Sequence, residues 1–189
     1  MKAIGTQLMT AEDVLAMPDD GVDRELIRGE LRESRVTTRG RPHCQVSTKM
    51  AFLLYQWLAR QPSPRGRVYT GEIRVRLRRD PDTFVGIDLA YFSAAIERST
   101  GDLASFIDGP PVLAVEIVSP SDTAEGIAEK IVEYQTAGVP LIWYVDPSLR
   151  TVTAYRLDGR HPMYNTQRDL TAEPELPGFR VPVSEIFED

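Results

Sequence analysis

The apolar positions between Pro111 and Pro147 fall into three blocks. Val112 to Val118 is apolar at nearly every position, as a strand covered on both faces requires. A helical period follows, with Ile127, Ile131 and Tyr134 on one stripe and Lys130 beside it. Leu141 to Val145 is a second apolar block, closed by Asp146-Pro147. Asp122 and Glu125 have the spacing of a capping box and predict a helix that starts there; Gly138 predicts its end. The whole reads as a strand, a helix and a strand, with a right-handed crossover between parallel strands. Glu116 interrupts the first apolar block. An ionised carboxylate in such surroundings has to be paired, protonated or bound to a cation. Lys130 lies eight residues past the predicted cap, ~12 Å along a helix. Glu116 lies about three residues back from the strand end, or ~10 Å. A helix folded back over the strand brings the two to similar depth.

The remaining chain carries shorter periods. Thr10 to Asp13 has the spacing of a helix cap, followed by Val14, Leu15 and Met17. Asp23 to Ile27 and Glu30 to Arg35 predict a hairpin turning at Arg28-Gly29. Glu30 suits local pairing with the hairpin arginines, whereas Glu25, beside Leu26 and Ile27, is placed to point inward. Residues 42 to 60 predict a long helix opened by Pro42, with Val46, Met50, Leu53, Leu54, Trp57 and Leu58 on its core face. His43 at its start suits a local cap or packing contact, or a phosphate contact. Val68 to Leu77 alternates Ile73, Val75 and Leu77 against Arg74, Arg76 and Arg78, which predicts a half-buried strand with a basic second face. Phe84 to Phe92 predicts a buried strand, with Asp88 between Ile87 and Leu89. Residues 94 to 109 read as a polar excursion with a short helix, and Thr151 to Leu157 as a strand before the Asp158-Gly159 turn. The final segment, anchored by Leu176, Phe179, Val181, Val183, Ile186 and Phe187, is expected to wrap the domain and end in a short helix or turn.

At 189 residues the chain suits a single domain, 1–189, with an N-terminal helix and hairpin (8–41), a core (42–158) and a wrapping segment (159–189). The element pattern predicts an α/β (α+β) class, a mixed sheet flanked by helices. No apolar run reaches the roughly 18 residues that a membrane span needs. The first residues lack the pattern of a secretory leader, so a cytoplasmic location is expected. Cys44 is the only cysteine and His43 and His161 the only histidines. That excludes an intrachain disulfide and a cysteine zinc cluster, and leaves a hard cation on carboxylates as the fitting metal. The net charge of −6 is uneven. Residues 1–80 hold 15 Lys and Arg against 10 Asp and Glu, or +5; residues 81–189 hold 7 against 18, or −11. The basic segments suit either a phosphate-facing surface or solvated strand faces.

Asp88 and Glu116 on buried strands, with Lys130 on a helix, form the constellation that can carry chemistry. Two neighbouring carboxylates repel unless a cation or proton stands between them. Mg²⁺ or Mn²⁺ on such a pair would polarise a phosphate and activate water, and a lysine beside it would position the water or offset charge. The bland alternative is structural pairing of Lys130 with Glu116, or with Glu133 at i+3.

Several stretches resemble the putative restriction endonuclease domain family, a branch of the PD-(D/E)XK nucleases. They are Arg24-Glu25-Leu26-Ile27-Arg28-Gly29-Glu30, His43, Asp88, Val115-Glu116-Ile117-Val118-Ser119-Pro120-Ser121, Lys130 with Tyr134, and Ala137-Gly138-Val139-Pro140 through Tyr144-Val145-Asp146-Pro147. The resemblance covers roughly residues 8 to 187. It implies a restriction-endonuclease-like fold and Mg²⁺-dependent (or Mn²⁺-dependent) hydrolysis of DNA by a homodimer. It implies Asp88 and Glu116 as metal ligands, Lys130 as the lysine supplied from the following helix, and Glu25 as a further acid. Arg74, Arg76, Arg78 and His43 are then the expected nucleic-acid contacts. The chain departs from the pattern at Val118, where the superfamily lysine commonly stands, at Ile87 in place of proline, and at Gly126 in place of an aspartate. A non-catalytic module on the same fold, binding nucleic acid or a protein, is the rival expectation.

Overall fold

The computed structural model describes residues 8–35, 38–101, 104–119 and 122–188. Pro120 and Ser121 of the Ser-Pro-Ser segment, and the first seven residues, lie outside the described residues. The elements are α1 (Ala11–Leu15), β1 (Val22–Ile27), β2 (Glu30–Arg35), α2 (Arg41–Ala59), β3 (Arg67–Arg78), β4 (Thr83–Phe92), α3 (Ala94–Thr100), β5 (Ile107–Asp108), β6 (Leu113–Ile117), α4 (Ala124–Thr136), β7 (Leu141–Asp146), β8 (Thr151–Arg156), β9 (Met163–Asn165), β10 (Asp169–Thr171), β11 (Arg180–Pro182) and α5 (Val183–Phe187). The architecture is mixed α/β.

Seven strands follow the order β2-β1-β4-β6-β7-β8-β9, with β3 on β4 and β5 on β3. Among the described strand pairs, only β6–β7 and β3–β5 are parallel. The strand–helix–strand pattern folds as predicted: β6 and β7 pair from Leu113 opposite Leu141 to Ile117 opposite Val145, with α4 as the connection. The start of α4 differs. Thr123 is the cap, its hydroxyl accepting the Gly126 N–H at 3.1 Å. Asp122 instead turns back to accept from the backbone N–H and hydroxyl of Ser119. Gly126 therefore sits in the first turn of α4, not in a helix interior.

Helices cover both sides of the sheet. Val46, Met50, Leu53, Leu54, Trp57 and Leu58 of α2 pack with Leu89, Val115, Trp143 and the C-terminal anchors Leu176, Phe179 and Ile186. Ile131 and Tyr134 of α4 pack with Ile87, Ala90, Ala114 and Ile142 in a second cluster. The C-terminal segment is tied to α2 by the Trp57 indole N–H, which donates to the Pro177 carbonyl at 2.9 Å. Strands β5, β9, β10 and β11 have only two or three residues each, too few for a period to show in sequence.

The basic face expected on β3 is corrected at Arg76. The pairing of β3 with β4 shifts between Thr70 and Ile73, at Gly71 (φ 94°) and Glu72 (φ 60°). Beyond this bulge Val75, Arg76 and Leu77 are all buried: β5 pairs along the edge of β3, and Glu12 of α1 and the Phe106 ring meet the Arg76 side chain. The Arg76 guanidinium donates to Asp108 at 2.7 and 3.0 Å and to Glu12 at 2.6 Å, and lies over the Phe106 ring. Arg76 therefore holds α1 and β5 to β3 and has no face for a phosphate. Glu133 is likewise not the partner of Lys130. It is buried, and accepts from Arg28 at 2.8 Å and from the Thr83 hydroxyl at 3.0 Å. Among the described residues no helix is long and apolar enough to cross a membrane.

Arg76 is buried while Glu12 and Asp108 keep contact with solvent, so Arg76→Ala, which removes its packing and its hydrogen bonds, is expected to lower unfolding stability by roughly 2 kcal/mol. Arg74→Ala, at an exposed position two residues earlier, is expected to stay within about 0.5 kcal/mol. Urea unfolding of the two variants side by side tests the assignment.

Candidate active site

The site lies where β4 changes partners. Leu89, Ala90 and Tyr91 pair with Val115, Ala114 and Leu113 of β6. Nearer the start of β4, Phe84 pairs with Leu26 of β1. Between these contacts, Val85, Gly86 and Ile87 pair with β3 alone among the described strands, and Asp88 falls opposite the β3 bulge. Buried backbone groups at such a gap need other partners. Charged side chains supply them. Glu25 of β1 accepts the Gly86 N–H at 2.9 Å, Lys130 of α4 donates to the Gly86 carbonyl at 3.0 Å, and Asp88 accepts the Ile117 N–H at 2.8 Å. The alternation of β4 also breaks here: Val85 and Ile87 pack on the α4 side, Leu89 on the α2 side, and Ala90 and Phe92 on the α4 side again.

Glu116 projects from β6 toward α4. Its Oε1 accepts a short hydrogen bond from the Tyr134 hydroxyl and lies 3.2 Å from Lys130 Nζ. Lys130 Nζ also lies 3.4 Å from Glu25 Oε1. Asp88 turns its other oxygen toward His43 at the start of α2, 3.2 Å from Nε2. That approach is not aligned as a hydrogen bond, and Nε2 is buried without a hydrogen-bond partner. Arg39 stands 4.0 Å from the same Asp88 oxygen and is ion-paired with Glu72.

Burial pushes the Glu116 carboxyl up; Lys130 draws it down and Asp88 pushes it up again, leaving it at about 7. For Lys130 burial works against the charge, but Glu116, Glu25 and Asp88 outweigh it and hold the amine above the ordinary lysine value. Lys130 is thus a fixed cation at neutral pH. Burial and the Glu116 charge hold the Tyr134 phenol well above its ordinary value, so it stays a donor.

Of the expected site residues, the structure gathers Glu25, Asp88, Glu116, Lys130 and His43 in one place. Arg74 is exposed on β3, and Arg78 is half-buried, donating to the Thr83 hydroxyl at 3.3 Å. The link from Tyr134 to Glu116 was not read from the helical stripe, which placed Tyr134 in the core. Its phenol, which needs a partner when buried, was the available signal. Arg39 and Glu72 left no pattern in sequence, because a turn and a bulge bring them together.

Among the described residues no group of three or more His, Cys, Asp or Glu is gathered to hold a metal. Magnesium is held through one or two carboxylates and keeps several waters, so Asp88 and Glu116 suit it in kind and number. The upward push of Asp88 on Glu116 is the repulsion that a cation would relieve.

A carboxyl whose pKa rises from 4.5 to about 7 on folding keeps a proton that the unfolded chain releases between those values. Stability of the metal-free protein therefore falls as pH rises through that window. The expected contribution is on the order of 3 kcal/mol lost between about pH 5 and pH 8. Urea unfolding in EDTA across that range should show the fall in wild type and a flatter profile in Glu116→Gln.

Residues 11–184 match the model of the Uma2 family, described as Putative restriction endonuclease. No curated protein matches the chain. Among solved structures, a putative nuclease belonging to DUF820 from Anabaena variabilis superposes with a TM-score of 0.77 at 18% identity. The match covers 93% of this chain and 96% of that one, and establishes a shared fold. With the family model spanning nearly the whole chain, the protein belongs to the Uma2 family of putative restriction endonucleases.

Proposed function

We propose that the protein is a metal-dependent endonuclease that hydrolyses phosphodiester bonds in DNA. The observation that carries this reading is the approach of Lys130 from α4 to within 3.2 Å of Glu116 on β6, with Asp88 and Glu25 at the same break in the sheet. Mg²⁺ or Mn²⁺ held by Asp88 and Glu116 would polarise the phosphate and promote deprotonation of water. Tyr134 and Lys130 fix the Glu116 carboxylate from two directions. Lys130, held protonated, offsets the negative charge that grows on the phosphoryl oxygens. Glu25 holds Lys130 from the hairpin side. Water adds to phosphorus, one P–O ester bond breaks, and the products are a phosphate monoester and a free hydroxyl. Arg74 is an exposed cation available to the DNA backbone. A homodimer would supply one site per strand. The rival reading is a binding module on the same fold, without catalysis, which the acidic net charge of −6 and Gly126 favour.

Nicking of supercoiled plasmid separates the two. With Mg²⁺ or Mn²⁺ the wild type is expected to nick, and Glu116→Gln and Lys130→Ala to lose activity by at least ~100-fold, the scale on which transition-state electrostatics act. Nicking that survives both substitutions, or is absent from the wild type, sinks the catalytic reading.

A further inference from the structure

The break in the sheet opens toward the start of α2, and that opening has features the hydrolytic roles above do not use. Helix α2 is 19 residues long, and its first turn has neither a side-chain cap nor an acidic residue. Pro42 has no N–H, so Arg41 and His43 carry the free N–H groups of that turn, at the positive end of the helix dipole. Arg39 and Arg41 flank it. Within the first turn, His43 is 8% exposed and its Nε2 has no hydrogen-bond partner. Arg39, His43, Cys44, Ser47, Glu72 and Asp88 border a cavity of ≈ 380 Å³ at this point.

Glu72 sets the charge at the rim of this cavity. It follows Gly71 in the bulge of β3 with φ at 60°, a conformation that few side-chain-bearing residues adopt. From there its carboxylate pairs with Arg39, whose guanidinium also stands 4.0 Å from Asp88. An anion thus already occupies Arg39, at the mouth of a cavity with an uncapped helix N-terminus and a buried imidazole nitrogen that faces Asp88 at 3.2 Å without an aligned hydrogen bond.

We infer that the start of α2 is a seat for one backbone phosphate of the bound DNA, taken by Arg39, His43 Nε2 and the first-turn N–H groups, with Glu72 as the carboxylate that the phosphate displaces. The inference rests on the nuclease reading for the identity of the ligand but not on catalysis. A phosphate has the charge and the acceptor oxygens that the three donors lack. Moving Arg39 from Glu72 to the ligand also uncovers Asp88 and His43. Binding of the strand and exposure of the Asp88 carboxylate are then one event.

The test uses the full chain in EDTA, where no cleavage occurs, with a short duplex DNA as probe. Arg39→Gln is expected to weaken binding about ten-fold and to reduce the salt slope by about one. His43→Gln is expected to weaken binding several-fold at unchanged salt slope, with unfolding curves to establish that it folds. Glu72→Gln is expected to tighten binding several-fold when Arg39 is present and to have no effect in the Arg39→Gln background, a coupling that general charge removal would not produce. Cys44 is exposed at the cavity, and DNA is expected to protect it from alkylation. Wild-type affinity in Arg39→Gln and His43→Gln, an equal Glu72→Gln effect with and without Arg39, or unprotected Cys44 overturns the phosphate seat. If these variants bind like wild type while plasmid is still nicked through Glu116, the seat fails and the nuclease stands. If they weaken binding while no form of the protein nicks, the seat stands and the nuclease fails. A wild type that binds no DNA overturns both.

Discussion

The architecture of the site depends on a short interruption in backbone pairing. Strand β4 is held by β6 at one end and β1 at the other, and between them its main chain has lost one neighbour. Buried amides and carbonyls do not tolerate such a loss without replacement partners. Glu25, Lys130 and Asp88 are the replacements at Gly86 and Ile117. Their charges are concentrated at one point because the backbone there needs them. Glu116 joins from the adjacent strand, and the Lys130 ammonium bridges it to Glu25.

The geometry of the cluster is set further away. Arg28 occupies the hairpin turn at φ 54° and sends its guanidinium to Glu133 on α4, one helical turn from Lys130. Helix α4 thus presents two charged groups to its packed side. Lys130 reaches the break in the sheet, and Glu133 clamps the hairpin that carries Glu25. The position of Glu25 relative to Lys130 is fixed at both ends by the same helix. This second ionic contact gives the site a rigid frame that apolar packing alone would leave free to slide.

The strand–helix–strand unit was legible in sequence because each part is long enough for its period to show and is bounded by turn residues. Asp88 and Glu116 were legible as exceptions in apolar runs, and Lys130 by its depth along a helix. Arg76 misled because alternation reports a strand's two faces but not what covers the second. Its partners Glu12 and Asp108 are 64 and 32 residues away, one on the expected short N-terminal helix and one on a two-residue strand, and no period in the sequence reports that either meets β3. Asp122 misled because two residues near a helix start could both serve as cap, and the choice went to Thr123 while Asp122 bonded Ser119. The pairing of Arg39 with Glu72 depends on a bulge and a turn, which leave no periodic trace.

The break in the sheet also bears on how a protein of this kind changes over generations. Asp88, Glu25 and Lys130 complete the hydrogen bonding of the main chain whether or not any bond in a substrate is ever cut. Selection for folding and selection for chemistry therefore fall on the same side chains. A lineage that lost its substrate would shed these residues slowly, since each replacement would orphan an amide or carbonyl that is at least half-buried. Ancestry is consequently written into this cluster more durably than activity is. The groups whose drift would first record a change of role are those with no backbone duty, Tyr134 and His43 among them.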